Sequence, residues 1–101
     1  MSELRAKIES EIMPTQWSVL AMHAKRSALF VVDSSLALAD AALAVAADRK
    51  NVVEQWINAG LLRRPAVEEM ARWSDETGIH FRSVVVQPFV LAQRLPTSAA
   101  N

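Results

Sequence analysis

The stretch Ser35–Leu62, SLALADAALAVAADRKNVVEQWINAGLL, decides the fold that this sequence predicts. Its first half, residues 37–47, has seven alanines in eleven residues and neither glycine nor proline, which is typical of a helix. A second helix is indicated by an apolar stripe of Val52, Val53, Trp56 and Ile57. The polar run 48–50 separates the two, and Gly60 suits the left-handed position that ends helices. We therefore predict two short helices joined by a tight turn and followed by a strand.

Each helix of this pair has a candidate N-cap. Ser34 and Ser35 precede the first helix, and either hydroxyl can accept a hydrogen bond from a free backbone N–H. Asn51 is followed three residues later by Glu54, which is the spacing of a capping box. We therefore expect one of the two serines to start the first helix and Asn51 to start the second.

The chain before this pair predicts two helices and a strand. Apolar residues repeat every four positions at Leu4, Ile8 and Ile12. A second helix, up to about residue 25, is indicated by Trp17, Leu20, Ala21 and Ala24. The short, apolar and β-branched run 28–32 predicts a strand that is buried on both faces.

The chain after the pair predicts a strand over 61–63, a helix and a further strand. The helix places Val67, Met70 and Trp73 on its inner side. Residues 81–86 give the strongest strand signal, and Pro88 marks an edge, a bulge or the end of that strand because it lacks an N–H. Residues 89–91 either continue the strand or begin a terminal turn.

The resulting order is helix, helix, strand, helix, helix, strand, helix, strand. Without its first helix, this order matches a winged helix in which a helix replaces the wing loop. We predict an α+β, winged-helix-like domain over residues 1–95, with a helix-turn-helix packed on a small antiparallel sheet, and a disordered tail over 96–101. A broader alternative is an α+β domain in which a small sheet packs on helices.

Composition limits the class of protein. The 101 residues are 51% hydrophobic, which fits one domain, and eleven basic residues balance eleven acidic ones. Zero net charge provides no general attraction to nucleic acid or anionic membranes, and it eases self-association. The absence of cysteine excludes disulfides and thiolate metal sites. No run approaches the roughly 18 apolar residues of a membrane helix, so we expect a cytoplasmic protein.

A pattern of aromatic, basic and turn residues spans roughly residues 4–93. It comprises Trp17 with Leu20, the run 23–26 (HAKR), Trp56-Ile57, Gly60-Leu61-Leu62, Pro65, Trp73, Phe81 and the run 85–93 (VVQPFVLAQ). In this pattern the chain resembles a family of short bacterial proteins, domain of unknown function 2288. It departs at Ala37, where the family pattern has an acidic residue. The resemblance implies a small bacterial protein and brings no assigned activity or catalytic residue.

No arrangement of side chains predicts catalysis. His23 and His80 lie far apart and outside the ligand spacings of metal sites, and two glycines are too few for a phosphate-binding loop. We therefore expect a protein that is not an enzyme and uses no cofactor or metal. A minor hypothesis, an enzyme that uses His23 and the region of Gln87, requires a concave pocket near both.

Basic pairs suggest a possible contact with nucleic acid. Arg49-Lys50 and Arg63-Arg64 flank the second helix of the central pair, where winged helices contact phosphates. That helix would offer amide side chains to base edges, although Glu54 lies among them. The candidate nucleic-acid contacts are Arg49, Lys50, Asn51, Gln55, Arg63 and Arg64. Alternatively, the cations simply occupy helix ends and exposed turns.

Protein association is the leading hypothesis. Trp17, Trp56 and Trp73 all lie on apolar stripes and suit a core, but Trp56 on the second helix of the pair also suits a partner. The candidate interaction surface comprises Trp56, Gln87, Pro88 and Phe89. Gln87-Pro88 with Gln93 either form a polar pocket rim or, as we prefer, satisfy backbone groups at a strand edge. We therefore predict a non-enzymatic interaction module that binds itself as a homodimer, or another protein. The alternative is a DNA-binding helix-turn-helix regulator.

Overall fold

The structure is a computed structural model that describes residues 3–76 and 80–95. The predicted tail over 96–101 lies outside these residues. Within them the chain forms, in order, α1 (Glu3–Glu11), β1 (Met13–Thr15), α2 (Trp17–Lys25), β2 (Leu29–Val32), α3 (Leu38–Ala46), α4 (Lys50–Asn58), β3 (Leu62–Arg63), α5 (Val67–Asp75), β4 (Phe81–Val86) and β5 (Phe89–Arg94). The α+β class and the order of the predicted elements are confirmed.

The sheet differs from the predicted small antiparallel one. It is mixed and has five strands in the order β1-β4-β5-β2-β3, because β5 inserts between β4 and β2 and runs parallel to β2. The other three pairings are antiparallel. Residues 89–94 form a strand after a two-residue turn at Gln87-Pro88, whose peptide bond is cis. The three-residue strand β1, with Pro14 at the sheet edge, was not predicted.

Successive residues of a strand point to opposite sides of the sheet. Both sides carry apolar residues, and helices cover both of them. On one side α2 and α5 pack on the cluster Trp17, Leu20, Leu29, Val31, Trp73, Phe81, Val90 and Ala92. On the other side α1 and α3 pack on Val32, Leu62, Val84, Val86 and Leu91. Trp17 and Trp73 are only 6% and 4% exposed, which confirms them as core residues.

The central helical pair and its following strand form as predicted. The residue at 60 has a φ of +79°, and the Leu61 N–H donates to the carbonyl of Trp56 at 2.9 Å. The chain then enters β3, where Leu62 lies opposite Val32 of β2. Gly60 therefore ends α4 and turns the backbone into the sheet, as the sequence indicated.

Both predicted N-caps are wrong. The N-cap of α3 is Ala37, because the N–H and hydroxyl of Ser35 both donate to Asp33 Oδ2, at 2.9 and 2.6 Å, in a local turn. The N-cap of α4 is Arg49, two residues before Asn51. The connection between α3 and α4 comprises residues 47–49, in which Asp48 adopts a φ of 58°, a left-handed conformation that aspartate tolerates.

Membrane insertion was not expected from the sequence. Among the described helices, none combines the length and the apolar composition needed to cross a lipid bilayer.

Candidate functional site

Helix α4 is less buried than α3, the other helix of the central pair. It packs against α3 and β3, yet none of its nine residues is buried. Its apolar stripe is only partly covered, since Val52, Val53 and Trp56 are half-buried and Ile57 is 46% exposed. By contrast, Ala41 and Ala42 on α3 are completely buried. Val53 and Trp56 contact the core, so the domain leaves Ile57 exposed and covers the rest of the apolar side of α4 only in part.

Two shallow depressions border this helix. One, of about 240 Å³, lies between α3 and α4 and is lined by Asp40, Leu43, Ala44, Arg49, Val52 and Trp56. The other, of about 260 Å³, lies at the start of α4 and includes Val45, Asp48, Arg49, Lys50, Val53, Glu54 and Phe89. We call these residues together with Ile57 the α4 surface. The structure thus brings Trp56 and Phe89, predicted as interaction residues, together with the predicted basic residues Arg49 and Lys50.

An aromatic pair extends this region toward the sheet edge. The rings of Phe30 and Phe89 meet edge to face, with centroids 5.5 Å apart. The guanidinium carbon of Arg64 lies 5.3 Å from the centroid of the Phe30 ring, which is a cation–π contact. Arg64 therefore contacts Phe30, which in turn contacts Phe89 of the α4 surface. Phe30 was not recognised from the sequence, because its short apolar strand predicts a core position.

Arg63 does not join the other predicted cations. Arg63 follows Leu62 in β3 and therefore points to the opposite face of the sheet from Leu62, whereas Arg64 lies beyond the strand and contacts Phe30. Its Nη1 and Nη2 donate to the two carboxylate oxygens of Glu69, at 2.6 and 2.8 Å. This ion pair lowers the pKa of Glu69 and raises that of Arg63. The structure thus splits the Arg63-Arg64 pair between two sides of the sheet.

The amide side chains predicted to read base edges are on the outer face of α4. Asn51 and Gln55 are four residues apart and therefore neighbours on the helix surface, and both are exposed. Asn58 and Glu54 share this exposure, as do Arg49 and Lys50 at the start of the helix. The outer face of α4 is consequently polar, whereas the α4 surface contains its half-covered apolar side.

Gln87 and Pro88 lie apart from the α4 surface. Both are exposed in the turn between β4 and β5. Gln87 lines a separate depression of about 260 Å³ with residues of α1 and the end of α3. His23 does not line that depression and belongs to α2, on the opposite side of the sheet. The depression lined by Gln87 does not include His23, so it is not the pocket near both residues that the minor enzyme hypothesis requires.

The Gln93 side chain hydrogen-bonds to backbone groups, as predicted, but it lies in the central strand β5 and not at a strand edge. Its side chain is buried, and its Nε2 donates to the carbonyls of Asp33 and Leu36 at 2.9 and 2.6 Å. Arg82 donates to the Gln93 side-chain oxygen at 3.3 Å. These bonds fix the loop between β2 and α3 and so position the start of the central pair.

A polar cleft on the other side of the sheet was missed from the sequence. It lies where the parallel strands β2 and β5 end and has a volume of about 490 Å³. Its arginines come from β3, α5 and β5, namely Arg63, Arg72 and Arg94. The available signal was an arginine at the end of the run 89–94, whose first three residues the sequence left open between a strand and a terminal turn. No group of side chains suited to a metal ion occurs in the described ranges.

Comparisons with known proteins place the chain in a family. No curated protein matches its sequence. The solution NMR structure of PA1075 from Pseudomonas aeruginosa is similar to it, with a TM-score of 0.80 and 29% sequence identity over 100% of this chain and 93% of that one. The model of a family described as protein of unknown function, DUF2288, matches residues 3–94. The predicted resemblance is confirmed, and the chain belongs to the DUF2288 family.

Proposed function

We propose that this protein is a non-enzymatic cytoplasmic interaction module that forms a homodimer through the α4 surface. The observation that carries the proposal is the incomplete burial of α4. Its side chains Val52, Val53, Trp56 and Ile57 form an apolar stripe, but none is buried within its own domain. Covering this stripe with a partner would remove apolar area from water, which is the main favourable term in association.

The residue types of the α4 surface suit a protein interface. Aromatic residues and arginine are enriched in such interfaces, where they account for much of the binding energy. Trp56 and Phe89 supply two aromatic rings beside Arg49. The two shallow depressions could receive apolar side chains from a partner. These features favour a protein partner over a small ligand for this surface.

Charge supports a second copy of the same chain as that partner. The α4 surface carries Arg49 and Lys50 as well as Asp48 and Glu54, whereas its Asp40 is already paired with Arg5 of α1 at 2.6 Å. In a two-fold dimer the same patch contributes from both copies, so cations on one copy can meet carboxylates on the other. The net charge of zero adds no general repulsion between copies.

A pair of matched substitutions tests this proposal by sedimentation velocity over a range of protein concentrations. We expect the unmodified protein to dimerise at tens of micromolar. Ile57→Glu should raise the dissociation constant at least about tenfold, which corresponds to about 1.4 kcal/mol. Val67→Glu is the control, because Val67, although predicted on the inner side of its helix, is 75% exposed and lies on α5, on the other side of the sheet. A monomeric unmodified protein, or equal effects of the two substitutions, would contradict the proposal.

DNA binding by a winged-helix-like domain is a second candidate. It is supported by the exposed row of Asn51 and Gln55 on α4, with Arg49 and Lys50 at the start of the helix. In this proposal α3 and α4 form the helix-turn-helix, α4 enters the major groove, and the cations contact phosphates. Arg63 is a poor phosphate contact because Glu69 already occupies both ends of its guanidinium fork.

Fluorescence anisotropy with duplex DNA distinguishes this second candidate. Phosphate contacts predict binding at low salt that weakens steeply as salt rises. Arg49→Glu combined with Lys50→Glu should abolish this binding, whereas Arg63→Gln should change it little. Absence of binding at low salt would remove the DNA proposal and leave the dimer proposal intact.

A further inference from the structure

The cleft at the ends of β2 and β5 is separate from the α4 surface. We propose that it binds a small organic oxyanion, in which a carboxylate or phosphate group is attached to an apolar body. The cleft opens at the carboxyl ends of two neighbouring parallel strands, where α/β sheets commonly bind ligands. Its volume of about 490 Å³ fits a small organic molecule and exceeds the size of a simple inorganic ion.

Two of the three arginines have donors available for such an anion. Arg63 is engaged by Glu69 through both terminal nitrogens. Arg94 makes one contact, from Nη2 to Glu76 at 3.1 Å, and both side chains of that pair are exposed to solvent. The side chain of Arg72 makes no hydrogen bond or ion pair with any described residue, although its charge helps to lower the pKa of Glu69. Guanidinium groups bind oxyanions through paired N–H donors, so Arg72 and Arg94 are the expected contacts.

Two of the three arginines already have a carboxylate partner, Arg63 with Glu69 and Arg94 with Glu76. Three arginines line the cleft against two carboxylates, Asp33 and Glu69. Glu69 is paired with Arg63, and Asp33 Oδ2 accepts two hydrogen bonds from Ser35. Glu69 is therefore held by Arg63 of β3 and Asp33 by its own loop, while the side chain of Arg72 lines the cleft without an ion pair to a described residue.

Apart from Ser34, the remaining lining is apolar, which is why we infer an organic anion. Val31, Val32 and Trp73 are buried residues that form part of the wall, and Leu95 is half-buried beside Arg94. A small pocket with an apolar wall and a few charged groups orients a ligand by its anionic end. The indole N–H of Trp73 is sealed from solvent and finds no acceptor among the described residues. Its resonance is therefore a sensitive reporter on the wall of the cleft.

Titration of the full chain, followed in ¹H–¹⁵N spectra at constant ionic strength, tests the proposal. The probes are phenyl phosphate, benzoate and inorganic phosphate, so the two aromatic probes distinguish a phosphate from a carboxylate group. We expect saturable shifts of the Trp73 indole and the Arg94 amide with at least one aromatic probe, while the Trp56 indole stays in place. Inorganic phosphate should bind at least about tenfold more weakly, because it leaves the apolar wall uncovered.

Substitutions identify the side chains responsible. Arg72→Gln should weaken binding of the aromatic probe at least about tenfold, as expected for the loss of a charge-assisted hydrogen bond. Arg94→Gln provides an independent second test. Arg26→Gln is the matched control, because Arg26 is an exposed arginine at the end of α2 and does not line the cleft. Shifts that never saturate, or equal affinities for Arg72→Gln and Arg26→Gln, would overturn the proposal. So would inorganic phosphate that binds as tightly as the aromatic probes.

Discussion

At the residue scale, Gly60 carries a conformational requirement that can be isolated by substitution. Its φ is +79°, and a Cβ added to it would meet no atom within 4 Å. Gly60→Ala should therefore cost only the strain of a left-handed backbone, about 1–2 kcal/mol of unfolding free energy. Urea denaturation measures this loss, and Gly60→Asn should lose less because asparagine tolerates this conformation. Unchanged stability in Gly60→Ala would show that α4 ends differently.

At Ala37 a substitution should instead stabilise the protein, because this residue is the N-cap of α3 and has no side chain that can cap the helix. Its backbone is extended, with φ −66° and ψ 133°, which is the conformation of capping residues. Ala37→Asp should supply the missing acceptor and stabilise the protein by about 1 kcal/mol in thermal or urea unfolding. The matched control is Ala47→Asp at the C-cap of the same helix, where the added negative charge meets the negative end of the dipole. Stabilisation by both changes, or by neither, would contradict this assignment.

The Arg63–Glu69 pair predicts a specific response to acid. Its hydrogen bonds lower the pKa of Glu69 in the folded state, so the charged carboxylate favours folding. This contribution is present above the unfolded pKa of glutamate, about 4.3, and is lost as pH falls through the lower folded pKa. Glu69→Gln should therefore show a shallower loss of stability in acid than the unmodified protein. Arg63→Gln should flatten the same limb, and an unchanged limb in both variants would exclude the pair as its cause.

At the element scale, the sequence determines the central pair but not its exact starts. Alanine content, the apolar stripe of α4 and Gly60 suffice to place two helices and a following strand. The predicted N-caps are wrong because the N–H and hydroxyl of Ser35 donate to Asp33, and because a left-handed Asp48 precedes a helix that begins before Asn51. Both effects depend on a local competition between hydrogen bonds that a residue pattern does not display.

Strand β1, at one edge of the sheet, and the full extent of β5, at its centre, were also not evident from a residue pattern. β1 has three residues including Pro14, which is too short for an alternating signal. β5 follows the turn at Gln87-Pro88, and its burial on both faces removes the alternation that marks a half-exposed strand. Its parallel pairing with β2 is a contact between residues about sixty positions apart, so no local pattern reports it.

The two helices of the pair should differ in local stability. α3 has five buried residues, including Ala41 and Ala42, whereas α4 has none. Local opening requires less free energy where few apolar contacts are lost. In native-state hydrogen exchange we therefore expect amides of α4 to exchange faster than those of α3. Equal protection in a monomeric sample would contradict the account of α4 as a weakly held helix.

At the scale of the whole molecule, the sequence predicted the members of the α4 surface better than their arrangement. Trp56, Phe89, Arg49 and Lys50 were identified separately, for two different functions, and the fold brings them to one region. Arg63 was assigned to the same group, but strand alternation places it on the opposite side. The cleft of Arg72 and Arg94 escaped prediction because it depends on the parallel pairing of β2 and β5.

The central claim, that α4 is covered by a second copy, is tested most directly by isotope-filtered NMR on a mixture of labelled and unlabelled chains. The account predicts intermolecular NOEs between the Trp56 ring of one copy and methyl groups of the α4 surface of the other, including Ile57. Intermolecular NOEs confined to another surface, such as Val67 on α5, would contradict it. So would the absence of any intermolecular NOE at hundreds of micromolar protein.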